Sequence, residues 1–200
     1  MNHCATFFAV IAFIFTAAAC HAGVMVTQNV SPGATSWPGS PIISTVSNPT
    51  NQATVPESFN SSNTSLSQTF TVTTTNYTLQ TISLYAGNGG GGTITLNLYD
   101  LGSQTAPNPS SYSPSGNLLG SGNGLSAAYA SQSYGVLKFD FTGSDQVTLQ
   151  AGHLYAFELG GISGTTPIFW QRAASDTYSG GAAYRNRDWI NGGSARDFAL

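Results

Sequence analysis

The chain has 200 residues, which is enough for one domain of ordinary size behind a short leader. Only 6% of the residues are charged and the net charge is -3, so the sequence lacks the clustered excess of Lys and Arg that a nucleic-acid-binding surface requires. Aromatic residues make up 12%, and this content together with low charge argues against a disordered chain. The composition fits an extracellular all-β domain whose solvent-facing polarity comes from Ser, Thr, Asn and Gly.

Residues 1–22 have the pattern of a secretory signal peptide. The run FFAVIAFIFTAAA is apolar, matches the length of a signal h-region and is too short to span a bilayer comfortably. A cleavage point is expected after Ala22. In the lipoprotein alternative Cys20 would carry lipid, but Ala17 stands where a larger aliphatic residue is usual, so we predict ordinary secretion. Removal of the leader takes Cys4 and Cys20 with it, which leaves no cysteine for a disulfide or a thiolate metal site.

Residues 23–65 are predicted to form a first short strand at 24–30 and a long Pro/Ser/Thr-rich loop. Five of the nine prolines fall in 31–63, and proline disfavours both helices and central strands. We predict that this loop packs over the domain and contributes one edge strand. A disordered linker is the alternative, against which Trp37 argues. The residues predicted for the edge strand are Ile42, Ile43 and Val46.

Residues 66–200 alternate apolar and polar side chains with a period of two, which predicts half-buried strands with one face on a core and the other in water. Ser67 and Thr69 are therefore expected in solvent. No segment has a sustained helical period, so we expect essentially no helix. Roughly eight to ten short strands separated by turn signals predict a single antiparallel β-sandwich of jelly-roll type. The inward residues are predicted to be Leu66, Phe70, Val72, Leu96, Leu98, Leu137, Phe139, Phe141, Tyr155, Phe157 and Leu159.

Three local features qualify this pattern. The apolar parity changes between Leu79 and Ile82, which predicts a bulge or bend. The loop AGNGGGG carries glycines at the spacing of a dinucleotide-binding motif. That motif needs a helix after the glycines, whereas a strand follows here, so we predict a hairpin loop. A short strand is predicted at 117–120, and the Gly/Ser-rich stretch 121–133 follows it without a predicted strand. The glycines with that spacing are Gly87, Gly89 and Gly92.

No catalytic constellation is recognisable, and we predict that the chain as given is not an enzyme. No serine lies in a G-x-S-x-G motif, and His153, the only histidine outside the leader, is explained by a surface position beside a turn. One histidine without cysteine does not furnish a zinc site. A retaining glycosidase needs two carboxyl groups about 5 Å apart, which sequence does not show, and acids are scarce. Glu158 and Asp140 are the outward-facing candidates for such a pair.

Calcium is the one cofactor that the sequence admits. Asp140, Thr142, Ser144 and Asp145 cluster around a predicted turn, and hard oxygen ligands suit Ca²⁺. The spacing is not that of an EF-hand. A plain turn in which Asp145 bonds to nearby backbone is the alternative and the simpler interpretation. Asp140 and Asp145 are the candidate calcium ligands.

The most informative chemistry lies in 169–196, where four of the five basic residues are interleaved with Trp and Tyr. Aromatic faces stack on sugars while Arg and Asp bond to hydroxyl groups, by analogy with the apolar-plus-polar layout of small-ligand pockets. In the alternative interpretation the two Trp are core residues and the Arg–Asp neighbours are structural pairs that close one end of the sandwich. The usual burial of Trp and the structural use of paired Arg favour that alternative. The predicted glycan-contacting residues are Trp170, Arg172, Tyr184, Arg187 and Trp189.

A family resemblance rests on strand motifs that run from QTFTV through YTLQTISLYAG and GTITLNLYDLG to LQAGHLYAFEL, YSGGAAYRNRDW and ARDFAL. They resemble the β-sandwich domains of bacterial secreted proteins of the PEP-CTERM or choice-of-anchor kind over 66–200. The resemblance implies architecture and no catalytic residues. The chain departs from anchored members because it lacks the C-terminal Pro-Glu-Pro signal, membrane helix and basic tail. Since RDFAL opens an apparent strand, we expect the sequence to be a fragment of a longer protein.

The function predicted from the sequence is that of a non-catalytic secreted or cell-surface module that acts in adhesion, matrix contact or carbohydrate binding. The mature part is expected to contain no membrane span. One alternative is an N-terminal accessory domain of a larger secreted glycan-processing enzyme, with its catalytic part beyond Leu200. Another is a structural surface spacer without a ligand.

Overall fold

The computed structural model describes the strands and most of their connections; the described residues are 25–27, 43–45, 53–59, 63–88, 90–103, 109–130, 132–163, 168–190, 196–198 and 200. They form β-strands and two single-turn 3-10 helices, Gly120–Gly122 and Gly143–Asp145, with no longer helix among them. The strands are β1 Met25–Thr27, β2 Ala53–Phe59, β3 Ser65–Val72, β4 Tyr77–Thr78, β5 Thr81–Asn88, β6 Gly92–Asp100, β7 Leu125–Tyr129, β8 Gln132–Asp140, β9 Thr148–Leu149, β10 His153–Ser163, β11 Ile168–Ala173, β12 Ala183–Arg185 and β13 Asp188–Trp189.

The strands form two antiparallel sheets and one small pair. Sheet A has the order β1-β8-β5-β11-β2, sheet B has the order β13-β12-β3-β10-β6-β7, and β4 pairs with β9. The rows β2-β11-β5-β8 and β3-β10-β6-β7 have the strand order of an eight-stranded jelly roll, in which two Greek keys fold over each other. The predicted all-β, jelly-roll-like sandwich is therefore confirmed. Strands β1 and β2 show that the segment 23–65 contributes to sheet A.

The core lies between the two sheets and uses the alternating positions that the sequence predicted. Tyr155, Phe157 and Leu159 of β10 are fully buried, and so are Leu137 and Phe139 of β8 on the opposite sheet. The rings of Phe139 and Phe157 approach to 6.4 Å between centroids. Burying each such side chain contributes roughly 1.5–3 kcal/mol, so these alternating positions hold the sheets face to face.

The connection after β5 is not the predicted hairpin. Strand β5 belongs to sheet A and β6 to sheet B, so the chain crosses from one sheet to the other between Asn88 and Gly92. Gly87 lies inside β5, and Gly89 lies outside the described residues. The parity change between Leu79 and Ile82 is a bend, because β4 pairs with β9 in a separate two-stranded sheet before β5 enters sheet A. Jelly-roll connectivity requires such crossings, which local turn signals do not reveal.

The segment 117–133 differs from its prediction in two ways. The stretch 121–133 contains β7, in which buried Leu125, Ala127 and Tyr129 alternate with exposed neighbours. The predicted strand at 117–120 is reduced to an isolated bridge between Asn117 and Tyr99.

The edge strand in the proline-rich segment is β2, which carries Pro56 at the margin of sheet A, where a missing N–H is tolerated. Ile43 is half-buried and lies outside any strand. Ile42 and Val46 lie outside the described residues, as does the predicted leader 1–22.

The outer face of sheet B is buried along part of β3, which contradicts the expectation for Ser67 and Thr69. Both side chains are fully buried. The hydroxyl of Tyr112 lies 2.6 Å from Oγ of Ser67, and the backbone N–H of Ala182 donates to Oγ1 of Thr69 at 2.8 Å. The predicted parity is correct, but Tyr112 and Ala182, which are distant in sequence, cover these two polar side chains of β3.

The end of the chain closes one edge of the sandwich; we call residues 196–198 and 200 the closing segment. The N–H of Ala173 in sheet A donates to the carbonyl of Asp197 at 2.7 Å, and the N–H of Ala183 in sheet B donates to the carbonyl of Arg196 at 2.6 Å. Phe198 is fully buried between the sheets. The segment therefore bonds to both sheets at once.

Within the closing segment the carboxyl group of Asp197 is predicted to make stability depend on pH. Burial raises its pKa from 3.8 to about 6, against the opposing effect of hydrogen bonds from the backbone N–H groups of Thr177 and Tyr178. The folded state thus holds this proton more tightly than the unfolded chain. The resulting stabilisation is fully present below about pH 4 and is lost as pH rises through about 6.

Urea unfolding of the wild type and of Asp197→Asn at about pH 4 and about pH 7.5 measures this effect, because the other titrating groups cancel in the difference. The free energy of unfolding of the wild type minus that of the variant should be larger at the lower pH by about 1–3 kcal/mol. A difference that is constant or grows with pH would contradict the raised pKa.

Candidate ligand-binding site

The five residues predicted to contact a glycan do not share one surface. Trp170 and Arg172 lie on β11 of sheet A, whereas Tyr184 and Trp189 lie on β12 and β13 of sheet B. Arg187 lies in the turn that joins β12 to β13. The structure therefore brings the last three together and separates them from the first two.

Trp170 is a core residue. Its side chain is fully buried, and its ring stacks on Phe198 with centroids 4.3 Å apart and an angle of 19° between the planes. The ring of Phe157 meets it edge-on at 6.2 Å. A ring enclosed in this way presents no face to a sugar, so the structural interpretation of Trp170 applies.

Arg172 belongs to a buried ion-pair cluster. Its Nε donates to Oε1 of Glu57 at 2.8 Å, and the two side chains are only 9% and 11% exposed. Nη1 of Arg185 lies 3.5 Å from Oε2 of the same carboxylate. Because Glu57 and Arg172 are on sheet A and Arg185 is on sheet B, the cluster ties the two sheets together at the edge formed by β2.

The hairpin β12–β13 is closed by a two-residue turn that carries Arg187 at a position where glycine is usual. Asn186 and Arg187 both have positive φ, at 51° and 67°. This is the geometry of a type I′ turn, which suits Asn at the first position but usually takes Gly at the second. The side-chain oxygen of Asn186 accepts a hydrogen bond from the N–H of Ser65 at 3.2 Å. Arg187 therefore adopts a strained backbone conformation that other contacts must hold in place.

Those contacts centre on Glu158, which points from β10 to the outer face of sheet B and is only 1% exposed. Arg187 donates to it through Nε at 2.9 Å and Nη2 at 3.0 Å, in a fork-to-fork pair. The hydroxyls of Tyr99 and Tyr112 lie 3.3 Å and 3.1 Å from the carboxylate, and Nδ2 of Asn97 donates at 3.3 Å. These four side chains are all able to donate hydrogen bonds to the carboxylate.

The electrostatics of this group follow from burial and from the charge of Glu158. Burial raises the pKa of Tyr112, and the negative charge of Glu158 raises it further. The hydrogen bonds that Arg187 donates to Glu158 raise the pKa of Arg187 above its ordinary value. Burial raises the pKa of Tyr99 as well. Tyr99 and Tyr112 therefore stay neutral donors, and the guanidinium of Arg187 stays charged, across the physiological pH range.

A loop formed by residues 109–117, which we call the cap loop, covers this network. The ring of Tyr112 meets that of Tyr184 edge-on at 5.1 Å. Tyr184 donates its hydroxyl to the carbonyl of Pro109 at 2.7 Å, and the N–H of Trp189 donates to the carbonyl of Ser110 at 3.0 Å. A backbone bridge joins Ser111 to the hairpin. The cap loop is thus hydrogen-bonded directly to the β12–β13 hairpin, which carries three of the predicted ligand residues.

Between the cap loop and the end of β6 lies a cleft of about 260 Å³. Tyr112 forms its buried wall, while the alternate residues Ser111, Ser113 and Ser115 are exposed. Asp100 is a quarter exposed, and its carboxylate lies 2.9 Å from Nδ1 of His153. The cleft is lined by Asp100, Leu101, Pro109, Ser111, Tyr112, Ser113 and Ser115.

This lining can do two things chemically. Its hydroxyls and carboxylate can exchange hydrogen bonds with a polyhydroxylated ligand, and the Tyr, Pro and Leu walls can pack against C–H surfaces. Sequence reasoning missed the cleft. The run SYSPS carries a signal for it, because three serines alternate there with an aromatic residue and a proline.

Of the two candidate calcium ligands, Asp140 has partners within the protein and Asp145 is buried. Asp140 accepts a hydrogen bond from Oγ1 of Thr81 at 2.8 Å and pairs with Nζ of Lys138 at 2.7 Å. Asp145 is 2% exposed and ends the 3-10 turn Gly143–Asp145. Among the described residues no group of three or more His, Cys, Asp or Glu side chains is placed to hold a metal ion. Calcium binding stays a prediction.

No protein-family model matches the chain, and neither a curated protein nor a solved structure matches it. The part of the chain that the structure describes contains no helix with the length and apolar character needed to cross a bilayer. A functional interpretation therefore depends on the geometry of the cleft and the cap loop.

Proposed function

We propose that this protein is a non-catalytic, secreted or cell-surface β-sandwich module that binds carbohydrate in the cleft beside the cap loop. The observation that carries the proposal is the cleft itself, in which exposed serine hydroxyls and a carboxylate stand over an aromatic wall. That arrangement has the apolar-plus-polar layout of small-ligand sites. Trp189, which is half-buried, donates its backbone N–H to the carbonyl of Ser110 in the cap loop and so lies close to this part of the chain.

Two further features support a role outside the cell. The apolar run in 1–22 has the composition of a secretory leader, and the strand motifs of 66–200 resemble secreted PEP-CTERM or choice-of-anchor sandwich domains. A charge-poor surface rich in Ser, Thr and Asn also suits contact with neutral, hydroxyl-rich matrix polymers. These features support the class of protein, whereas the cleft supports the ligand class.

A glycan-array screen of the chain, with and without Ca²⁺, tests the proposal. For any glycan retained, Ser113→Ala together with Ser115→Ala should weaken binding about tenfold, since each hydroxyl contributes about 0.5–1.5 kcal/mol. Trp189→Ala should weaken it as well. Ser175→Ala is the matched control, because it removes an exposed hydroxyl far along the chain from the cap loop. Unchanged affinity in the cleft variants would refute the site.

A structural spacer without a ligand is the second candidate, and one observation favours it. The polar atoms of Arg172, Tyr184 and Arg187 bond to other parts of the same chain. Groups bound in this way stabilise the fold and are not offered to a ligand. A folded sample that retains no glycan on the array would establish this candidate over the first.

A further inference from the structure

We infer that the ligand of the cleft is a neutral glycan rather than an acidic polysaccharide; the inference rests on the proposed function and adds the charge class of its ligand. It starts from the cations of the chain. The sequence has five Lys and Arg residues, and all five are among the described residues. Four of them pair with carboxylates inside the protein.

Arg187 is the cation to consider beside the cleft, because its backbone carbonyl accepts a hydrogen bond from the N–H of Tyr112 in the lining. Its Nε and Nη2 both donate to Glu158, which is almost fully buried. Moving the guanidinium onto a uronate or sulfate would leave a buried carboxylate without its counter-charge, which costs more than an exposed ion pair returns. Arg187 is thus held on Glu158, and it is not among the residues that line the cleft.

The fifth cation does not reach the cleft lining either. Arg196 lies in the closing segment, which bonds to both sheets, and it is not among the cleft residues. The described lining contains no Lys or Arg, and its one ionisable acid is Asp100. The exposed Asp188 is bridged to Ser111 beside the cleft. The lining therefore offers an anionic polymer no Lys or Arg, and its carboxylate disfavours such a ligand.

The remaining groups fit a neutral sugar. Serine hydroxyls both donate and accept, and a carboxylate accepts from sugar hydroxyls, so the lining satisfies a polyol without any charge on the ligand. Binding through such groups involves no release of counter-ions. Its affinity should hardly change with salt concentration, whereas attraction of an acidic chain would weaken as salt screens it.

The test uses matched pairs of polysaccharides in which each acidic member is accompanied by its carboxyl-reduced, neutral counterpart of the same linkage and length. For every pair that binds, the full chain should hold the neutral member at least about tenfold more tightly, with an affinity that is flat from about 50 mM to about 500 mM NaCl. Asp100→Asn should narrow that ratio, because it removes the negative charge from the lining.

The outcomes separate the two claims. Tighter, salt-sensitive binding of the acidic members that the Ser113→Ala and Ser115→Ala double variant abolishes would overturn the neutral-ligand inference and leave glycan binding at the cleft intact. Binding of neither member in any pair, by a sample shown to be folded, would overturn the proposed function and the inference together. A ratio unchanged by Asp100→Asn would show that the charge of the lining does not set the selectivity.

Discussion

Glu158→Ala is expected to lower the free energy of unfolding by about 3–5 kcal/mol, as removal of one partner of a buried ion pair does. The substitution deprives Arg187 of its counter-charge and removes the acceptor shared by Tyr99, Tyr112 and Asn97. It also releases the contact that holds the positive φ of Arg187. Urea unfolding followed by tryptophan fluorescence measures the loss.

Two controls distinguish the charge from the shape of this group. Glu158→Gln keeps an oxygen acceptor and should cost less than Glu158→Ala. Replacing the pair by apolar residues, Glu158→Leu with Arg187→Met, should cost clearly less than the sum of the two single substitutions, because neither partner is left buried alone. A loss below about 1 kcal/mol for Glu158→Ala would show that the network does not hold the cap loop.

Phe198→Ala is expected to destabilise the protein by about 3–5 kcal/mol, the usual cost of emptying a buried phenylalanine site. The ring of Phe198 is fully buried and stacks on Trp170, so its removal opens a cavity where the closing segment enters the core. Thermal and urea unfolding would measure the change, and the emission of Trp170 should shift because its neighbour is lost.

Phe198→Leu is the matched control, because it keeps most of the apolar volume; it should cost at most about 1.5 kcal/mol if the site repacks. The pair of variants separates filling of the core from the backbone bonds of the closing segment, which both variants retain. Stability within about 0.5 kcal/mol of the wild type in Phe198→Ala would contradict the packed position of this segment.

The parts of the fold that could be predicted are those in which alternation is strict and the apolar side chains are large. Leu137 and Phe139 on β8, and Tyr155 and Phe157 on β10, follow a period of two and lie where it places them. A two-residue period follows directly from strand geometry, so the sequence carries it in full. Strand β7 was missed because its small residues, among them Ala127, resemble a Gly/Ser-rich connection.

Burial of the polar strand faces could not be predicted from the strands themselves. Ser67 and Glu158 alternate outward as expected, yet both are buried because the cap loop, distant in sequence, lies over them. Alternation reports the polarity of a side chain, while burial depends on what covers it. The same reason explains the crossing between β5 and β6, since local turn residues do not state which sheet the next strand joins.

The candidate site was predicted only in part. Tyr184, Arg187 and Trp189 do lie together, because they belong to one hairpin and are close in sequence. Trp170 and Arg172 do not join them, because the register of β11 turns one ring into the core and directs the guanidinium to Glu57. The cleft depends on two segments that meet only in the folded chain, and no single stretch of sequence contains it.

The most direct test of the account is to map backbone amide shifts by NMR while a neutral oligosaccharide from the array is added to the full chain. The account predicts that the largest changes fall on Asp100–Gly102 at the end of β6 and on Ser111–Gly116 in the cap loop, with small changes elsewhere. Changes centred on another surface, such as the exposed ring of Tyr134 on sheet A, would contradict the cleft as the binding site.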